Sequence, residues 1–195
     1  MKKFSIFILS SLAIVVMGCT TEQTEPDQLT SENLFKVYEA KVDNALTREG
    51  ENCLEVELIA GQNHIAGLVT AETIDGLLKI TYSAGPDWTI GATHLSLGEC
   101  EQIPTTGSGN PKIGHFEHSS EHSEGVNEVV YEFPIEYLLE DFCFAAHAEV
   151  TGPTGGETAW ASGTEFDGNS WAMFVEALLN GCTSGGGDDD EPVVK

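Results

Sequence analysis

The sequence predicts an all-β fold, an antiparallel β-sandwich stapled by disulfides and preceded by a short N-terminal helix or stalk. Three observations predict it. From Cys53 onward apolar residues alternate with polar ones at period two, as half-buried strands require. Short strand-like runs are separated at even spacing by Gly, Pro, Asp and Asn, the pattern of a sandwich rather than of βαβ units. Four cysteines, Cys53, Cys100, Cys143 and Cys182, are spread over the same region.

Taken in order, Ser31 caps a predicted helix in which Leu34, Val37, Tyr38, Val42, Ala45 and Leu46 recur near helical period. The strands begin with Leu54, Val56 and Leu58, which alternate with Glu55 and Glu57. A second strand covers 65–74, and Asp75-Gly76 supplies a hairpin turn, because glycine tolerates positive φ. Leu78, Ile80 and Tyr82 form the third strand, Gly85-Pro86-Asp87 turns the chain, and 88–97 is the fourth.

Residues 101–125 read as one long irregular loop with Pro104, Pro111 and three histidines. A loop of that length inside a compact domain is either functional or held down by something. β pattern resumes over 126–135, a short helical piece or turn covers 137–139, and 142–150 is apolar enough to be a central strand.

The stretch 157–174, ETAWASGTEFDGNSWAMF, concentrates large aromatics in two arms around a turn at Asp167-Gly168-Asn169. Its second arm fits two periods. Asn169 and Gly181 would bound a helix, whereas Trp171, Met173, Val175, Ala177 and Leu179 alternate as a strand would. The Gly185–Gly187 run and the acidic residues after it read as a disordered tail over 183–195.

The first eighteen residues look like a processing segment, with Lys2 and Lys3 before an apolar run too short to span a membrane. Val16-Met17-Gly18-Cys19 resembles the lipobox of bacterial lipoproteins. That resemblance implies cleavage after Gly18, acylation of Cys19 and residence at the outer membrane, facing the periplasm or the exterior. Each buried CH₂ of the acyl chains contributes roughly 0.8 kcal/mol to anchoring. Residues 19–50 are then a lipidated tether with the possible helix, and 51–182 the β domain. Loss of Lys2 and Lys3 takes the formal charge from −24 to −26, so nucleic acid and anionic lipid surfaces would repel the mature chain.

In an exported protein the four remaining cysteines read as two disulfides, with three connectivities open. Segments LIAGQNHIAGLVT, ITYSAGPDWTIGATHLSLG, GNPKIGHF, CFAAHAEV and the aromatic stretch together resemble a recurrent uncharacterised β-rich extracellular domain of bacterial surface lipoproteins. The resemblance implies a strand for the second aromatic arm, closing onto the strand that begins near Cys53. It follows from that arrangement that Cys53 pairs with Cys182 and Cys100 with Cys143.

Two sets of residues carry possible chemistry. His94, His122 and His147 are candidate ligands of a divalent metal such as zinc or copper, because imidazole suits both ions. Trp88, Trp160 and Trp171 are candidate stacking residues for a glycan, with the core of the sandwich as the alternative use of such rings. No catalytic motif is present, so the expected role is binding or structural, toward a glycan or protein ligand at the cell surface, and not enzymatic.

Overall fold

In a computed structural model the chain is described over residues 35–41 and 53–182. The expected signal segment, most of the expected tether and the expected acidic tail lie outside the described residues. Eleven strands make up the architecture among the described residues. They are β1 (Lys36–Ala40), β2 (Leu54–Ala60), β3 (His64–Ile74), β4 (Leu77–Ala84), β5 (Thr89–Gly98), β6 (His118–Glu121), β7 (Glu128–Pro134), β8 (Asp141–Gly152), β9 (Gly155–Ala161), β10 (Thr164–Glu165) and β11 (Met173–Leu178). A single helical turn, Leu179–Cys182, follows β11.

Every pairing is antiparallel, in the order β1-β7-β4-β3-β2-β9-β8-β11-β10, with β5 on the other edge of β8 and β6 beside β5. The sheet curls on itself into two facing layers. Tyr82 on β4 donates its hydroxyl hydrogen bond to the carbonyl of His94 on β5, and Tyr131 on β7 meets Thr93 on β5. Between the layers lies the main core, which includes Leu58, Val69, Ile80, Tyr82, Leu95, Tyr131 and Phe144.

Local chemistry explains the turns. Asp75 and Gly76 both take positive φ, +53° and +76°, as the two-residue hairpin between β3 and β4 demands. Trp88 lies flat on Gly152, where a Cβ would come within 2.4 Å of its ring; that packing buries the indole.

Three expectations are corrected. Residues 36–40 form β1, paired along β7, and not part of a helix; Lys36, Tyr38 and Glu39 are exposed, so the segment is a half-exposed edge strand. The rest of the predicted helix lies outside the described residues. Inside the supposed loop, 118–121 is a strand. The second aromatic arm is a strand, but it pairs with β8; it is the first arm, β9, that closes onto β2, with Trp160 opposite Ile59.

Cys100 and Cys143 are joined, as the expected arrangement has it. Cys53 is also in a disulfide, and Gly181, the residue before Cys182, lines the same cavity as Cys53.

Candidate functional site

The long segment between β5 and β6 packs down on the outer face of the sheet. On β8, Phe142, Phe144, Ala146 and Ala148 join the inner core, so Cys143, Ala145 and His147 point the other way. Ile103 and Phe116 from the segment cover that face together with Trp160, Phe166 and Ala172. The loop is held at three points. Cys100 ties it to β8, and Phe116 sets its ring edge-on to Trp160 at 6.2 Å. At its tip the side-chain oxygen of Asn110 accepts the backbone N–H of Ser170 at 2.9 Å. This contact clasps the loop to the turn of the aromatic stretch. Asn110 and Gly168 touch so closely that a Cβ on Gly168 would lie 2.2 Å from Asn110 Oδ1.

His94, His147 and Trp160 form one row across β5, β8 and β9, because the register sets each opposite the next. The two imidazoles are 5.4 Å apart, and His147 is 4.8 Å from the Trp160 ring. His147 is 2% exposed, and neither of its ring nitrogens has a hydrogen-bond partner; His94 Nδ1 is likewise buried and unpaired. Burial, and secondarily the neighbouring His94, push the His147 imidazole down to about 4.

His122 stands elsewhere. Its Nδ1 is 2.8 Å from a Glu39 carboxylate oxygen on β1, its Nε2 is 2.7 Å from Thr93 Oγ1, and Thr93 is 2.7 Å from the Tyr131 hydroxyl. A carboxylate only accepts, so Nδ1–H donates to Glu39; in a neutral ring Nε2 then accepts from Thr93, which accepts from Tyr131. This carboxylate–imidazole–hydroxyl chain has the order of a catalytic triad, but Thr93 and Tyr131 are fully buried, out of reach of a substrate. Its effect is to join the end of β6 to β1, two of the strands at the free edges of the curled sheet. His118 completes that junction, packed against Phe35 and Phe133 at 4.3 and 5.0 Å, with its basicity lowered by burial and partly restored by Glu117.

The three candidate metal ligands therefore do not converge. His94 and His147 share the outer face, whereas His122 binds the edge junction. Among the described residues no group of three or more His, Cys, Asp or Glu is placed to hold a metal ion. Nor do the three tryptophans make a stacking surface. Trp88 and Trp160 are buried in different cores, at 8% and 4% exposure, and Trp171 packs partly buried against the outer one. The use of these rings is packing, as sandwich cores require.

The structural residues that the sequence did not single out are Glu39, Thr93 and Tyr131, whose pairing spans three strands far apart in the chain. A cavity of about 500 Å³ also escaped notice. It opens at the end where β11 finishes and is lined by Leu54, Phe142, Ala177 and Leu178 beside Cys53 and the Cys100–Cys143 bridge. Comparison with family models, with characterised proteins and with solved structures found no match to this chain.

Proposed function

We propose that this protein is a lipid-anchored outer-membrane lipoprotein whose disulfide-stapled β domain serves as a binding or structural module. The observation that carries the reading is the Cys100–Cys143 bridge in a chain that opens with a lipobox-like Val16-Met17-Gly18-Cys19. A disulfide built into the central strand suits an oxidising, exported setting, and the lipobox supplies both the export signal and the anchor. The non-catalytic part rests on the fate of the candidate groups, since His122, Thr93 and Tyr131 are spent on closing the sheet and His147 is buried in the outer face beside His94. Feeding cells a palmitate analogue should label the protein, and Cys19→Ser should abolish the label. Label that persists in the variant would refute the anchor.

A further inference from the structure

The apolar groups left in water are not scattered. Six large hydrophobic side chains are exposed among the described residues, and four of them, Ile74, Tyr137, Leu139 and Leu178, are 42–58% exposed. Register places all four at one end of the sandwich. Ile74 and Leu77 form the base of the β3–β4 turn, and Leu77 is opposite Pro134 at the end of β7. Tyr137 and Leu139 lie in the connection from β7 to β8, whose first residue, Asp141, is opposite Leu178 at the end of β11. The N–H of Leu179 bonds the carbonyl of Glu140, which ties the end of β11 to the connection that carries Leu139. Leu178 also lines the 500 Å³ cavity, so the exposed apolar surface continues into a concave one. At the opposite end, Ile65 is the comparably exposed one among the described residues.

The chain enters the domain at this same end. β1 starts with Lys36 opposite Glu132, and Phe35 stacks on Phe133, one turn of chain from the Pro134–Leu77 pair. Residues 20–34 thus connect Cys19 to the apolar end and to no other. At full extension that segment reaches roughly 50 Å, but as a coil it spans on the order of 20 Å. A tether this short holds the apolar end at high effective concentration beside whatever surface carries the acyl chains.

We propose that this end of the sandwich rests on the lipid surface, with Tyr137, Leu139 and Leu178 in the interfacial layer, a reading that rests on the acylation of Cys19 proposed above. The charges refine the lipid class. Asp75, Glu136, Glu140 and Asp141 are exposed at the same end, as is Lys36. The surface that fits is therefore zwitterionic, and anionic lipid weakens the contact by like-charge repulsion.

The test uses the full lipidated chain reconstituted in phosphatidylcholine vesicles. A nitroxide is placed at Leu139→Cys and, as a control of similar exposure at the opposite end, at Ile65→Cys. Immersion predicts that the label at 139 collides several-fold more with oxygen, and several-fold less with a water-soluble nickel chelate, than the label at 65. Part of that difference is lost when anionic lipid is added. Because a new thiol can disturb the disulfides, Leu139→Trp read by quenching from brominated lipid provides a second measurement. Equal, water-like collision at both positions, or no bromine quenching, overturns the proposal. So does dipolar broadening between labels at 139, which would show a second copy covering this end instead. Mass analysis separates the two readings. An unacylated Cys19 sinks the anchor and the docking together, whereas an acylated chain with a water-exposed 139 sinks the docking alone.

Discussion

Burial strips the His147 imidazole of water without giving its nitrogens partners, and a second imidazole 5.4 Å away opposes any positive charge on it. The folded ring therefore titrates near 4 where a free one titrates near 6.5. Between those values the unfolded chain binds the extra proton and the folded one does not, so stability rises with pH across that window. The contribution is fully present above pH 6.5 and is lost as pH falls through 6.5 toward 4. It amounts to about 3 kcal/mol for a shift of this size. His118, whose affinity for a proton is also lowered by burial, adds to the loss with the same sign. Urea midpoints measured from pH 7 to pH 4 should fall, and His147→Gln should flatten a large part of that fall. An unchanged slope in the variant would show that His147 does not remain neutral in the folded state.

Among the elements, the least regular one is also the most constrained. The segment between β5 and β6 is covalently tied at Cys100, packed through Ile103 and Phe116, and clasped at Asn110 to the turn before β11. Gly168 permits that clasp through its missing Cβ, which would collide with both the side chain and the backbone nitrogen of Asn110. Gly168→Ala should cost about 1–3 kcal/mol, as overpacking does. Hydrogen exchange over 104–112 should quicken more than exchange in β4 or β8; uniform acceleration would mean that the clasp is not a separate unit. Much at this scale is legible in the sequence. Strands β2 and β4 announce themselves by period two because alternate residues meet the core, and β8 by an apolar run because both of its faces are covered. β6 does not, since HSSE has no apolar alternation to offer. The helical spacing of Val37 and Tyr38 misleads for a related reason, because an edge strand with one neighbour buries too little to impose its own period.

At the scale of the molecule, which strand pairs with which is the part that local patterns do not contain. The aromatic stretch does lie where the sheet closes, yet its first arm makes the closure on β2 and its second arm goes to β8. The candidate site suffers likewise. His94 and His147 are neighbours because β5 lies on β8, while His122 leaves the set because β6 ends beside β1. The cysteines fare better, since the end of β5 and the start of β8 are brought together by register, with Gly98 opposite Cys143. That bridge closes a span of 43 residues, for which loss of unfolded-chain entropy contributes about 4 kcal/mol. A double Cys100→Ala, Cys143→Ala variant should lose stability on that order in denaturant titrations, and a loss under 1 kcal/mol would show that packing alone seats the loop.

Strand β8 has β5 along one edge and shares the other between β9 and β11, while β2 waits for β9 near the far end of the chain. The consequence is one of time. An emerging chain that has passed β2, β3 and β4 can form their meander, but neither layer is complete until the last strands have been made. Pairings so distant in sequence fold slowly. The early meander keeps a bare β2 edge meanwhile, a natural substrate for a holding chaperone.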